Sequence, residues 1–126
     1  MENNILKIKE KLLYRRIIEW EVNKIVLDDG TEVYFETTDS DYSAGGYGNF
    51  SNVKLDAMIT DVVETKNKNY YDDDRATYMN KVRIAIYHNQ NPIAQADVYT
   101  DAGDGGYYYS VTSMIIGDVE IPVAKA

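Results

Sequence analysis

The chain has 126 residues, of which 44% are hydrophobic and 27% are charged, values typical of a single globular domain. It contains no cysteine and only one histidine. This composition excludes disulfide scaffolds, thiolate zinc sites, cysteine nucleophiles and every site that needs two imidazoles. No apolar run is long enough to span a membrane, and Lys7 and Lys9 interrupt the segment where a signal peptide would be apolar. We therefore expect one soluble, cytoplasmic domain over residues 1–126.

The charge is unevenly distributed along the chain. Residues 1–24 carry a net charge of +2, whereas residues 25–126 carry −10, and the whole chain carries −8. A field of this sign repels the phosphates of nucleic acids and attracts basic surfaces. We therefore expect no direct binding of nucleic acid and no membrane partner, but a basic protein surface as partner. The simpler alternative is that the acidic surface only keeps the domain soluble.

The N-terminal segment is compatible with two structures. Ile5, Ile8 and Leu12 have helical spacing, whereas residues 6–9 alternate between apolar and charged side chains as a strand does. We favour a short N-terminal helix. Residues 16–22 then alternate apolar and charged side chains, and this period of two predicts a strand.

Two β-hairpins are predicted further along the chain. Residues 24–27 and 32–36 are rich in β-branched and aromatic side chains and flank an Asp-Gly pair that ends at Gly30, a strong hairpin signal. Residues 82–87 alternate apolar and polar side chains, and residues 93–99 follow them after a turn that ends in proline. Because proline lacks an N–H group, we expect it at the start of its strand.

The two hairpins belong to an apparent duplication, which covers about residues 24–64 and 81–120. In each half, a hairpin precedes an acidic loop rich in glycine and tyrosine, at residues 39–48 and 101–108, and a further strand follows. The very polar residues 65–75 between the halves are predicted to form a surface loop. The resulting fold class is α+β, mostly antiparallel β, with a duplicated hairpin-loop-strand unit and a short N-terminal helix.

The acidic loops are candidates for a divalent-metal site, because hard cations prefer clustered carboxylates. An EF-hand is excluded, since Ala44 and Phe50 stand where that loop needs Gly and a bidentate Glu. Aspartates in glycine-rich loops also cap turns through the backbone, and this is the alternative interpretation. The candidate metal ligands are Asp39, Asp41, Asp101 and Asp104, with Asp97 or His88 as further ligands.

The sequence offers little evidence for catalysis. It contains no Gly-x-Ser-x-Gly elbow, no phosphate-binding loop and no Gly-x-Gly-x-x-Gly segment. The single histidine, His88, falls in a predicted turn, where solvation is its expected state. Acids are numerous, but no pattern singles out two of them as a catalytic pair. We therefore expect no enzymatic activity.

Tyrosine dominates the aromatic residues, with twelve Tyr against two Phe and one Trp. Tyrosine is enriched in protein interfaces, and acids beside exposed rings can bind Arg and Lys through ion pairs and cation–π contacts. The alternative is that the rings fill strand faces. The candidate partner-binding residues are the loop tyrosines Tyr42, Tyr47, Tyr107 and Tyr108, together with Tyr70 and Tyr71 beside Asp72, Asp73 and Asp74.

Three segments of the chain carry a family resemblance. Residues 25–35 read Ile-Val-Leu-Asp-Asp-Gly-Thr-Glu-Val-Tyr-Phe, and Gly-Gly-Tyr-Tyr-Tyr and Met-Ile-Ile-Gly-Asp-Val follow later. Over about residues 22–120, the chain resembles a family of small uncharacterised phage and prophage proteins, a domain of unknown function. In size and acidity it also resembles anti-CRISPR proteins, which block type II CRISPR effector nucleases.

This second resemblance implies a function. In type II effectors the guide–target duplex lies in a positively charged channel. The resemblance therefore implies a non-enzymatic inhibitor in the cytoplasm of a bacterial host, which binds a type II CRISPR effector nuclease and blocks the loading of target DNA. The alternative function is that of a divalent-metal-binding or structural phage accessory domain.

Overall fold

The computed structural model describes residues 2–126, with side chains from Asn4 onward. These residues form one helix, nine strands and a short 3-10 turn. The elements are α1 (Glu2–Leu12), β1 (Ile17–Glu21), β2 (Lys24–Leu27), β3 (Glu32–Ser40), β4 (Gly46–Ser51), β5 (Asp61–Asp72), β6 (Thr77–His88), β7 (Asn91–Asp101), the 3-10 turn (Asp104–Gly106), β8 (Ser110–Ile116) and β9 (Val119–Lys125). The predicted fold class, mostly antiparallel β with one short N-terminal helix, is confirmed.

The strands form two antiparallel sheets around one apolar core. Sheet 1 has the strand order β1-β2-β3-β8-β9, and sheet 2 has the order β4-β7-β6-β5. In β6, for example, Val82, Ile84 and Ile86 point into the core at every second position, as the period of two requires. Helix α1 contributes Ile8 and Leu12 to the same core. The largest fully buried side chains include Phe50, Ile25, Leu27, Ile59, Ile84, Ile86, Ile93, Met114 and Ile121.

The helix, the first strand and both hairpins that the sequence predicts are confirmed. Gly30 occupies the β2–β3 turn with a φ of 88°, a left-handed conformation that glycine adopts without steric cost. Pro92 is the second residue of β7, at the start of the strand as expected. In β1 the register shifts between Ile17 and Glu19, and Trp20 is left partly exposed at the edge of sheet 1.

Each sheet contains strands from both halves of the chain. Strands β1, β2 and β3 are consecutive in sheet 1, and β4 then crosses to sheet 2 to pair with β7. Likewise β5, β6 and β7 are consecutive in sheet 2, and β8 crosses to sheet 1 to pair with β3. This shared strand order relates β1–β4 to β5–β8, while a duplication over residues 24–64 and 81–120 stays a prediction. Both crossing segments leave strands at the same end of the molecule.

The prediction of a surface loop at residues 65–75 is wrong, because β5 continues to Asp72. β5 is an edge strand that pairs only with β6, so it can be stable with polar side chains on both faces. The Asn80 side chain is 3% exposed. Its amide donates hydrogen bonds to Asn67 Oδ1 at 2.8 Å and to Asn69 Oδ1 at 3.1 Å. These bonds satisfy a buried polar group that a hydrophobicity pattern does not predict.

We predict that Asn80→Ala lowers the free energy of unfolding by about 1–3 kcal/mol, because the Lys125 N–H, which donates to Asn80 Oδ1 at 3.0 Å, loses its acceptor. Urea denaturation measures the change. The matched control is Asn91→Ala at the exposed first position of β7, which does not contact the Asn80 amide, and there we expect a change within about 0.5 kcal/mol. Equal losses for the two variants would contradict this role of Asn80.

Candidate functional site

Two loops cross between the sheets, residues 41–45 between β3 and β4 and residues 102–109 between β7 and β8. These two crossing loops contact each other directly. The Asp41 N–H donates to the Tyr109 carbonyl at 3.0 Å, and the Asp104 N–H donates to Ser43 Oγ at 2.9 Å. The two glycine- and tyrosine-rich loops of the sequence therefore form one surface at one end of the molecule. Their contact follows from the topology, since the chain leaves β3 of sheet 1 and β7 of sheet 2 at this end and changes sheet after each of them.

The Asp101 carboxylate connects three chain segments at this end. Asp101 is 7% exposed and is therefore buried. Its Oδ1 accepts hydrogen bonds from the Gly45 N–H at 3.2 Å and from the Gly103 N–H at 3.0 Å, one from each crossing loop. Its Oδ2 accepts a charge-assisted hydrogen bond from Arg75 Nη2 at 2.7 Å. Arg75 belongs to the β5–β6 turn, so one carboxylate fixes both loops and this turn.

The β5–β6 turn places carboxylates in solvent beside the loops. Asp72 Oδ1 accepts a hydrogen bond from the Asp74 N–H at 3.0 Å, an Asx turn that shapes the end of the hairpin. Asp73 and Asp74 are exposed as a result. The Tyr78 carbonyl accepts a hydrogen bond from the Ala102 N–H at 3.0 Å, which attaches β6 to the second crossing loop.

We name this surface the acidic end. It carries seven carboxylates and one guanidinium, a formal charge of −6. Every residue predicted for partner binding, and each of the four loop aspartates predicted as metal ligands, belongs to it. Its charged residues are Asp39, Asp41, Asp72, Asp73, Asp74, Arg75, Asp101 and Asp104, and its tyrosines are Tyr42, Tyr47, Tyr70, Tyr71, Tyr78, Tyr107, Tyr108 and Tyr109.

The tyrosine rings of the acidic end support one another while remaining accessible. The ring centroids of Tyr42 and Tyr108 are 5.1 Å apart, and those of Tyr71 and Tyr78 are also 5.1 Å apart, in an edge-to-face arrangement. Tyr42 is 91% exposed, and Tyr107 is 89% exposed. Their exposure beside carboxylates therefore marks a candidate interaction surface.

The hydroxyl group of Tyr109 is tied to one of these carboxylates. It donates a hydrogen bond to Asp39 Oδ1 at 2.8 Å. This hydrogen bond is the main cause that raises the pKa of Tyr109, and desolvation and the negative charges of Asp39 and Asp41 raise the pKa further. The Tyr109 ring therefore stays protonated above the pH at which an ordinary tyrosine ionises.

The geometry does not assemble a metal centre from the described residues. Among the side chains of residues 4–126, no three His, Asp or Glu groups come close enough to hold a metal ion together. Asp97 lies elsewhere, on β7 beside Arg83, and His88 lies at the opposite end of β6, where its Nδ1 contacts the Met58 carbonyl at 2.7 Å. A divalent-metal site therefore stays a prediction without geometric support.

Sequence reasoning missed three residues of the acidic end, Arg75, Tyr78 and Tyr109. Arg75 is the last residue of the segment 65–75 that was predicted to be a loop, and Tyr78 follows that segment. With β5 and β6 assigned as a hairpin, the Tyr70-Tyr71 and Tyr78 positions would have been recognised as neighbours across the strands, as the Tyr71–Tyr78 pairing shows. No sequence signal indicates the ion pair between Arg75 and Asp101, which are 26 residues apart.

We predict that Asp101→Ala lowers the free energy of unfolding by about 2–3 kcal/mol, because it removes hydrogen bonds to two loops and leaves buried donors without an acceptor. Urea denaturation measures the loss. Asp104→Ala serves as the control, since Asp104 is exposed and its N–H, not its side chain, bonds to Ser43. An Asp101 variant as stable as the control would show that the carboxylate does not hold this end together.

We also predict that Asp39→Asn lowers the pKa of Tyr109 towards its ordinary value, because the charged acceptor that stabilises the protonated ring is lost. Ultraviolet absorbance titration of tyrosine measures this change. One of the twelve tyrosines should ionise at lower pH in the variant than in the wild type. Superimposable titration curves would mean that the Tyr109–Asp39 hydrogen bond is not formed in solution.

No helix among residues 2–126 has the length and apolar character needed to cross a bilayer.

Comparisons with known proteins identify the family. No curated protein and no solved structure matches the chain. A family model described as a domain of unknown function, DUF7448, matches residues 10–115. Because this match covers most of the 126 residues, the chain belongs to the DUF7448 family.

Proposed function

We propose that the protein is a non-enzymatic inhibitor that binds a basic surface of a nucleic-acid enzyme through its acidic end. The observation that carries the proposal is that the acidic end combines six net negative charges with several exposed tyrosine rings. The carboxylates and tyrosine rings of the acidic end are not part of the apolar core, which lies between the two sheets. A surface of this composition suits a partner rich in Arg and Lys.

The chemistry of recognition follows from these side chains. Exposed carboxylates such as Asp73 and Asp74 accept charge-assisted hydrogen bonds from guanidinium and ammonium groups. The faces of Tyr42 and Tyr107 attract the same cations through the ring quadrupole. Complementary charge also accelerates association, since it steers the two surfaces together. A groove that normally holds phosphates would therefore accept the acidic end in their place.

The loops of the acidic end are already held in place before binding, and this favours affinity for a partner. Binding is weakened when loops must lose conformational freedom on association. Here the carboxylate of Asp101 already connects both crossing loops to the β5–β6 turn, and paired rings support the exposed tyrosines. The surface is therefore preorganised, and less of the interaction energy is lost in ordering it.

The specific target that we propose is a type II CRISPR effector nuclease, as in the anti-CRISPR proteins that the chain resembles in size and acidity. Its guide–target duplex occupies a positively charged channel, and unwinding of target DNA depends on protein contacts with the DNA backbone. An acidic end seated near that channel would block target loading without any chemical step. This target also implies the cytoplasm of a bacterial host as the place of action.

We predict that Asp73→Asn together with Asp74→Asn weakens binding to a purified, guide-loaded type II effector by about five- to tenfold, because two exposed ion pairs of about 0.5–0.7 kcal/mol each are lost. Asp72 is kept, since its carboxylate shapes the turn. Binding is measured by pull-down and by a DNA-loading assay at several salt concentrations. Stability should stay unchanged within about 0.5 kcal/mol.

The matched control removes two charges at the other end of β8. Asp118→Asn together with Glu120→Gln changes the net charge equally, and both residues are exposed. If the control weakens binding as much as the Asp73 and Asp74 pair, general charge and not the acidic end governs association. If no complex forms even at low salt, the type II effector is not the target.

A further inference from the structure

The outer face of sheet 2, which points away from the core, carries a different chemistry from the acidic end. Inward residues of β6 and β7 such as Val82, Ile84 and Val98 are buried. Their outward neighbours are aligned in rows across the four strands by the antiparallel register. The first row is Tyr47, Tyr99, Lys81 and Lys68, and the second row is Asn49, Asp97, Arg83 and Lys66. Each row spans about 14 Å, since neighbouring strands are about 4.8 Å apart.

This surface is positively charged. We name it the basic face, and it comprises the two rows together with Lys54, which lines the same groove as Arg83. It holds five basic residues and one acid, a formal charge of +4, so the remainder of the chain carries −12. Basic residues are therefore concentrated on this face, although the remainder of the chain is acidic in total.

Arg83 of the basic face forms an ion pair with an acid of the same face. Arg83 Nε donates to Asp97 Oδ1 at 2.8 Å. Burial raises the pKa of Asp97, but the hydrogen bonds from Arg83 and Gln95 outweigh it, and the pKa lies below its usual value. Among the described side chains, no carboxylate lies within ion-pair distance of the four lysines, which are Lys54, Lys66, Lys68 and Lys81.

Aromatic rings lie beside two of these lysines. The rings of Tyr47 and Tyr99 are stacked with their centroids 5.2 Å apart, and Tyr47 is 51% exposed. The Lys81 ammonium lies 5.2 Å from the centroid of the Tyr99 ring, and the Lys68 ammonium lies 5.5 Å from that of Tyr70. An adjacent open groove of about 580 Å³ is lined by Lys54 and Arg83 among others and lengthens the surface.

We propose that the basic face binds single-stranded nucleic acid. Unpaired lysines can contact successive phosphates, and an exposed tyrosine at the end of a stack can extend the stack with a base, the combination found in proteins that bind single strands. A duplex cannot offer its bases for stacking in this way. An acidic peptide is disfavoured, because its carboxylates gain nothing from the negative faces of aromatic rings.

The negative charge elsewhere on the protein does not prevent this binding. Interactions between exposed charges are screened beyond about 8 Å at physiological salt. A strand lying along the two rows meets Lys66, Lys68 and Lys81 directly, whereas most carboxylates lie on other surfaces. The proposal does not depend on the function of the acidic end, since the two surfaces have different charged side chains. They share Tyr47, and Tyr70 of the acidic end contacts Lys68 of the basic face.

The test uses a fluorescein-labelled thymidine oligonucleotide of about 15 nucleotides and fluorescence anisotropy at several salt concentrations. Binding should weaken as salt rises. Lys68→Ala together with Lys81→Ala should reduce the slope of log K against log salt by about 1.4, since each phosphate contact contributes about 0.7 for single strands. Tyr47→Leu should weaken binding about fivefold or more through the loss of stacking.

The matched control is Lys7→Ala together with Lys11→Ala, which removes two exposed cations from α1 and should leave the slope unchanged. Circular dichroism and urea denaturation verify that each variant is folded. The proposal is overturned if the wild type does not bind the oligonucleotide at low salt, or if the α1 variant loses as much as the sheet variant. It is also overturned if a duplex of the same length or polyglutamate binds as tightly as the single strand.

Discussion

One buried carboxylate, that of Asp101, holds the structure of the acidic end together. The exchange of β4 and β8 between the sheets brings two glycine-rich loops into contact, but loops of this composition have little intrinsic order. Asp101 accepts a backbone N–H from each loop and pairs with Arg75 of the β5–β6 turn. The exposed tyrosines and aspartates therefore project from segments whose positions are fixed by these hydrogen bonds. Both the proposed affinity for a basic surface and the shape of that surface depend on this contact.

The two surfaces also explain why the net charge of the chain is a poor guide to its partners. Counting along the sequence assigns −10 to residues 25–126 and argues against nucleic acid. The fold separates these charges in space, because Lys66, Lys68 and Lys81 point outward on one face of sheet 2 while seven aspartates belong to the acidic end. Charge acts over about a Debye length, so the relevant quantity is the charge of a face. The protein can therefore offer surfaces of opposite sign to two partners.

Much of the fold follows from local sequence patterns, and the rest depends on contacts between distant residues. The Asp-Gly turn and the alternation of Val82, Ile84 and Ile86 act within a few residues, and they correctly predict both hairpins. Strand β5 was missed because its stability comes from pairing with β6 and from the buried Asn80 amide, neither of which leaves a hydrophobic pattern. The candidate tyrosines and aspartates were found by composition, but their assembly into one surface requires the crossing of β4 and β8.

The most direct test of the central claim is hydrogen–deuterium exchange of the protein, free and in complex with a guide-loaded type II CRISPR effector. The proposed mode of binding predicts slower exchange in residues 39–45, 72–78 and 101–109, the segments that form the acidic end. It predicts no change in α1 or in the β8–β9 turn, which lie away from that surface. Protection confined to α1 or β1, with unchanged exchange at the acidic end, would contradict the account.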